Sequence, residues 1–476
     1  MKHNIKFIYT ILACVMLLSA CNPDDFLGIK PRGKDVPSEY KHYEGLLTSF
    51  DMIKWTIDFN GKLYFPILSD EYIVTERSLN QLASEMGQQG RACYQYEKNF
   101  LLPDDMPGDW GYNSNTYALN LIINNVMSTE AAEVDKLATL SEARVFRSWI
   151  LFRIAQIYLK PYDESYAENT PGLPIITESN TLQETFERAT MKELFDFITK
   201  EMEESCAHIR NNTAYTFRIE KADAYAMMGH VYHYMNKYDK ALEAMRLAKQ
   251  YADENNSAKF YDLNTMEPDE IIYDGVYHFD NIEYMRNSIG FNDCISWYYP
   301  YYQTTATMYA KPEYYALYSA TDRRQYRFDE EDNGLHRVVT GEDTPMGITS
   351  YGLYLVLAEC EARAGEANAA KNILKELRKY RMPEADAAVP ADIDTKDKLI
   401  KFCVEESIRE NLGNGLFFFE MKRLWNDPLF AYLKAGYGHK VHGTNTVYPF
   451  TESHLEVNIP EAVLKWNKNW NNGSSN

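Results

Sequence analysis

Apolar residues recur along this chain at the spacing of helices. From Ala143 to Tyr158, the residues Phe146, Trp149, Ile150, Ile154, Ile157 and Tyr158 fall on one face of a 3.6-residue repeat. Pro161 stops the run. A clearer unit covers Ala222 to Ala248. Tyr225, Met228, Gly229 and Tyr232 line one helix, Asn236 to Asp239 make a turn, and Ala241, Met245 and Ala248 line the return helix. Small residues where two helices touch, with a large one where they wedge apart, give the spacing of a tetratricopeptide repeat. Asp253 stands where that repeat usually carries proline. A second copy fits at Tyr354, Leu357, Ala358, Ala370, Leu374 and Leu377, with Gly365 in its turn. Leu151, Ile154, Ala155 and Tyr158 are in phase for another, whose return helix comes late, at Met191 to Ile209.

Gly229 and Ala358 are 129 residues apart, against a tandem period of about 34. A bare solenoid is therefore excluded. The helix pairs, near 142–209, 222–251 and 351–380, are scattered through a larger fold of the all-α class. Between them, Lys41 to Pro107 and Asp274 to Thr349 are non-periodic and carry many aromatics, Gly and Pro. These stretches predict long loops and short helices packed on the helical scaffold, and loops on a rigid scaffold are where binding usually resides.

The N-terminus sets the expected compartment. Lys2 and Lys6 precede a mostly apolar run from Phe7 to Ala20, shorter than the roughly 20 residues that span a bilayer and laid out as a secretory signal. It ends Leu18-Ser19-Ala20-Cys21, which matches a bacterial lipobox cut before a cysteine that is then acylated. Cys14 fits less well because its apolar run is too short. Two or more acyl chains, at about 0.8 kcal/mol per buried methylene, give stable anchoring. The expected layout is a signal peptide over 1–20, a lipidated tether over 21–40 and a single helical domain over 41–476. Asp24 and Asp25, just after Cys21, resemble the surface-export signal of Bacteroidota lipoproteins. The expected location is the outer membrane, lipid-anchored and facing outward.

Composition narrows the partners. A formal charge of −20 and a pI near 5.0 argue against nucleic acid and anionic lipid headgroups. Five cysteines remain after Cys14 and Cys21, widely spaced and without CxxC, so no disulfide scaffold is indicated. The 37 tyrosines tilt the reading toward amphipathic ligands such as sugars, since tyrosine joins a flat apolar face to a hydroxyl.

Four segments stand in order along the chain: Asp25-Phe26-Leu27 with Lys30-Pro31 and Lys34; Leu317-Tyr318 with Asp322-Arg323-Arg324; the helix Tyr354 to Arg363; and Glu406-Ser407-Ile408-Arg409-Glu410, then Gly415, then Phe418 to Arg423. Together they resemble the SusD/RagB family of nutrient-binding proteins. Phe417 replaces the family's usual arginine and Glu420 its aspartate. The resemblance implies an all-helical fold built on scattered tetratricopeptide-type pairs. It also implies an oligosaccharide or similar nutrient as ligand, a SusC-like TonB-dependent transporter as partner, and no covalent chemistry.

In such proteins the loops before the "LY…D-x-R" segment contribute to the ligand face. The resemblance therefore points to Trp297, Tyr298, Tyr299, Tyr301 and Tyr302, a run around Pro300 that cannot all enter one core. The plainer reading is that these rings pack the loop onto the helices. Trp110 and Tyr112 come next, with inward packing as their plainer role. Asp70 and Glu71, beside Tyr64 and Tyr72, are expected to be solvated surface carboxylates, the alternative being acceptors for sugar hydroxyls. His230 and His233, and His439 and His442, are spaced three apart but lack ligand-spaced partners, so no metal or cofactor is expected. No HExxH, GxSxG or P-loop is present. Two rivals stand: a helical adaptor that binds only protein, and a glycosidase with paired carboxylates about 5–10 Å apart.

Overall fold

Helix starts are written into the local chemistry. Thr190 accepts a hydrogen bond from the Glu193 N–H, and the Glu193 carboxylate reaches back to the Thr190 N–H, closing a capping box. Thr349 and Thr395 cap two later helices through their hydroxyls. The computed structural model describes residues 37–48, 65–85, 88–103, 112–179, 185–213, 218–268, 271, 307–331, 334–338, 348–413 and 415–470. Its helices include α1 (Tyr40–Leu47), α2 (Tyr112–Asn125), α3 (Glu133–Tyr158), α4 (Met191–Ser205), α5 (Lys221–Tyr234), α6 (Tyr238–Asn255), α7 (Ser350–Ala364), α8 (Ala367–Arg378), α9 (Lys396–Asn411) and α10 (Phe417–Leu424).

The pairs α3–α4, α5–α6 and α7–α8 pack as hairpins, and α6 lies against α7 so that the units stack. Helix packing brings side chains from both partners into register at small residues. At Gly229 on α5, a Cβ would stand 2.8 Å from Met245 of α6, so the glycine admits the methionine. Helix α6 ends at Asn256, whose φ of 50° is left-handed, and this polar cap stops the helix without the repeat's proline. The scaffold is helical, as the periodicity predicts.

Helix α3 is the hub. The apolar face predicted over Ala143 to Tyr158 lies on it, yet its polar residues are buried as well, because α2, α4 and α5 surround it. Those buried charges are matched. Arg147 donates to Glu201 at 2.6 Å and to Asn120 at 2.7 Å, and Glu142 accepts from Arg218 Nε at 2.9 Å.

A small sheet joins short segments that lie outside the periodic helices. Its strands are β1 (Tyr72–Thr75), β2 (Tyr309–Ala310), β3 (Phe328–Glu330), β4 (His336–Val338), β5 (Gly438–His442) and β6 (Val447–Pro449), in the order β3-β4-β2-β1-β5-β6. Strands β1 and β5 run parallel, with Val74 opposite Val441, and the other pairs are antiparallel. Strands this short show no usable two-residue alternation, which is why the pattern missed them. Cys93, Cys206, Cys360 and Cys403 are buried. Among the described residues, no helix is long and apolar enough to cross a membrane.

Candidate ligand-binding site

Helices α3, α5, α7 and α10 converge on a cavity of about 140 Å³. Trp149, Phe152 and Phe419 give it aromatic walls, while Ser407, Asn411 and Thr349 stand at its partly exposed side. Arg153 enters from α3 one turn after Trp149. Its guanidinium lies 4.8 Å from the Phe419 ring centre and 5.8 Å from that of Trp149, and it donates to Gln156 Oε1 at 2.7 Å. From α5, His230 sets its ring 6.2 Å from that of Trp149. Tyr234, one turn on, is 3% exposed.

Burial shapes the charges. It lowers Arg153 to about 10, which leaves the guanidinium charged at neutral pH, and lowers His230 to about 3, which leaves the imidazole neutral. It raises the Tyr234 phenol, which stays protonated. Opposite, Arg423 holds Glu359 at 2.9 Å and Glu420 at 2.6 Å, and His233 meets Glu359 at 2.9 Å. Glu420 is the one carboxylate lining the cavity, and it is committed to Arg423. The carboxylate pair that glycoside hydrolysis needs is not in this lining.

Asp70 and Glu71 require correction. Both are 0% exposed, so neither is a solvated surface group nor open to a sugar. Asp70 accepts from Lys311 Nζ at 2.7 Å, the Tyr314 hydroxyl at 2.8 Å and the Gly438 N–H at 2.6 Å. Glu71 accepts from Ser69 at 2.5 Å and from the Gly413 and Phe417 N–H groups at 2.9 and 3.3 Å. They weld the start of β1 to α10 and to the β5 strand.

Trp297, Tyr298, Tyr299, Tyr301, Tyr302, Trp110 and Cys21 lie outside the described residues. Tyr112 is the first residue of α2. Close to the chain where the described structure resumes after the aromatic run, Tyr315 stacks on His336 at 3.5 Å between ring centres and meets Tyr318 edge-on at 5.5 Å. Of the histidine pairs, His233 serves Glu359, and His439 is buried between the stacked rings of Tyr94 and Tyr96 at 4.1 and 4.3 Å. No cluster of three metal-ligating side chains occurs among the described residues. The sequence reading does not single out the cavity residues Arg153 and Tyr234, and it weighs His230 only as a metal ligand. The available signal was a lone arginine within the apolar run Trp149–Tyr158, four residues after Trp149.

The departures in the C-terminal signature now have an account. Phe417, in place of arginine, packs edge-on against Tyr314 at 5.2 Å, and Glu420, in place of aspartate, keeps an ion pair with Arg423.

Comparison with known proteins gives a consistent result. Residues 67–233 match a SusD-like family model described as starch-binding and associating with the outer membrane. No curated protein sequence matches the chain. Among solved structures, a SusD superfamily protein from Bacteroides fragilis shares 17% identity, with a TM-score of 0.63 over 92% of this chain and 100% of that one. A SusD-like carbohydrate-binding protein from Bacteroides vulgatus shares 12%, with a TM-score of 0.60 over 91% and 97%. A laminarin-binding SusD-like protein shares 13%, with a TM-score of 0.61 over 91% and 98%. At such identities the structural likeness speaks for the fold, while the family model speaks for the sequence of 67–233. Residues 67–233 are similar in sequence to the SusD-like family, and about nine-tenths of the chain shares the fold of solved SusD-like structures.

Proposed function

We propose that this protein is a surface lipoprotein that binds an oligosaccharide or similar nutrient and delivers it to a SusC-like TonB-dependent transporter. The observation that carries the reading is the match of residues 67–233 to a starch-binding, outer-membrane-associated family model. The lipobox supports an anchor at Cys21, with the body over 41–476 held outside as one domain on a short acidic tether. Delivery is energised by the partner, and no bond of the ligand is broken.

We assign the ligand face to Trp297, Tyr298, Tyr299, Tyr301 and Tyr302, with Trp110 and Tyr112 as the next candidates. Their rings offer stacking surfaces for sugar CH faces and their hydroxyls offer hydrogen bonds to the rims. The test is calorimetric titration of the protein from Asn22 onward against laminarin, starch and host oligosaccharides, beside the double variant Trp297→Ala, Tyr299→Ala. Binding to one glycan class, lost in a folded variant, supports both ligand and site. Binding that survives the double substitution removes the site, and silence across the panel removes the glycan. Loss of acylation on Cys21→Ala, read by mass spectrometry, tests the anchor separately.

A further inference from the structure

Three buried polar atoms that face the cavity between α3, α5 and α10 have no hydrogen-bond partner among the described residues: Arg153 Nε, His230 Nε2 and the Tyr234 hydroxyl. Buried polar groups are nearly always satisfied, and each exception calls for an explanation. The cation is the most telling. A guanidinium has five N–H donors, and Gln156, a neutral acceptor, is the one hydrogen-bond partner of Arg153 among the described residues. The nearby carboxylates are spoken for: Glu420 by Arg423 at 2.6 Å, and Glu359 by Arg423 and by Arg363 at 2.7 Å. Elsewhere in this molecule buried arginines meet carboxylates directly, as Arg324 does with Asp322, Glu406 and Glu410. The Arg153 side chain is half-buried with its Nε out of reach of solvent, and a charge drawn partly out of water without a counter-charge is costly.

We infer that the cavity is a binding site for a small organic anion, a monocarboxylate with a flat or short apolar body. Carboxylate oxygens match the planar fork of a guanidinium and satisfy its charge as well as its donors. The Tyr234 hydroxyl supplies a further donor, and a neutral His230 whose proton sits on Nε2 supplies a third. Trp149, Phe152 and Phe419 then enclose the apolar body. Water fills the hydrogen bonds but leaves the charge unpaired. Size sets the upper limit: at about 140 Å³, the cavity is near the roughly 150 Å³ of an engineered cavity that admits benzene. A benzoate-sized ion fits this bound, and an oligosaccharide does not. The proposal is therefore independent of the glycan reading.

The probe is benzoate, with benzamide as its uncharged counterpart of the same shape, titrated calorimetrically into the full-length protein in detergent. Benzoate is expected to bind about tenfold or more tightly than benzamide, a factor set by the charge. Arg153→Met, which keeps the packing of the arginine stem, is expected to erase that preference, and Tyr234→Phe to weaken benzoate several-fold. An anomalous signal from 4-iodobenzoate is expected beside Arg153 in a soaked crystal. Equal affinity for the two probes, no binding of either, undiminished benzoate binding in Arg153→Met, or iodine located elsewhere would each overturn the assignment. If Arg153→Met does not fold, Tyr234→Phe decides, since unchanged benzoate affinity there removes the site. Laminarin titration of the same variants is expected to be unaffected, which separates failure of this site from failure of the glycan reading.

Discussion

Lys422 Nζ donates to the Leu159 carbonyl at 2.7 Å. The same ammonium also reaches the carbonyls of Gln156 and Ile157, so one side chain of α10 closes the C-terminal end of α3. These are among the carbonyls a helix end leaves without intrahelical donors, and a cation suits the negative end of the helix dipole. Burial works the other way, pulling the Lys422 ammonium down to about 7. Replacing it by methionine keeps the stem and removes all three donated bonds. With about 1–3 kcal/mol for each carbonyl left unsatisfied, Lys422→Met is expected to lose about 3 kcal/mol or more. Urea denaturation at pH 6, where the lysine is charged, measures this, and a loss within about 1 kcal/mol would show that water replaces the ammonium.

Arg324 ties the two most informative motifs together. Its guanidinium bonds Asp322 at 2.7 Å within the "D-x-R" segment, then Glu406 and Glu410, both at 2.6 Å, on α9. Burial works to raise Glu406, but Arg409, Arg324 and Arg378 hold it well below the usual carboxylate range. Removing one partner of a buried pair typically costs about 3–5 kcal/mol. Arg324→Met is expected near the lower end of that range, because Arg378 and Arg381 still reach the two glutamates. Equilibrium denaturation against the parent protein gives the number. A cost below about 1 kcal/mol would mean that the remaining arginines carry the cluster.

That meeting point marks the boundary of what the sequence discloses. Helices α3, α5 and α7 are legible because their apolar residues keep one period over three or more turns, and the family motifs are legible as strings. Their partnership is not: Arg324 and Glu406 are 82 residues apart, and nothing local to either names the other. Asp70 was misread for the same reason. Beside tyrosines it looks like a surface acid, but its cation, Lys311, arrives from 241 residues away. Strands of two to five residues carry too few alternations to be seen, so the sheet was missed where the helices were not. Arg153 was visible as a charge on an apolar helix face. That its fork meets a neutral amide and no carboxylate among the described residues is a property of the packed neighbours.

Gly229 tests whether the repeat spacing has the packing role that the pattern implies. A methyl group there would lie 2.8 Å from the Cγ and Cε atoms of Met245. Alanine brings about 1 kcal/mol of helix propensity over glycine, which offsets part of the crowding. Gly229→Ala is therefore expected to be near neutral. Valine adds branching at the same point and is expected to destabilise by about 1–3 kcal/mol through overpacking. Thermal melts of the two variants make the comparison, and equal melting temperatures would show that α5 and α6 separate freely.

Glu71 predicts a pH dependence opposite to that of an ordinary ion-paired carboxylate. It is buried, and burial pushes its carboxyl up to about 7, against hydrogen bonds from Ser69, Gly413 and Phe417. The unfolded chain releases the proton near 4.5, the ordinary glutamate value. Between about 4.5 and 7 the folded state therefore holds a proton that the unfolded state has lost. Stability contributed by this group is complete below that window, falls as pH rises through it, and levels off above. At 1.36 kcal/mol per pH unit, the loss is about 3 kcal/mol. Other groups titrate over the same range, so the decisive quantity is the difference from Glu71→Gln, which cannot ionise. Denaturation at pH 5 and pH 8 is expected to show the glutamine variant gaining on the parent by about 3 kcal/mol at the higher pH. A difference that stays constant would mean that the three donors keep Glu71 ionised throughout, and that the carboxylate joining β1 to α10 is a charged link.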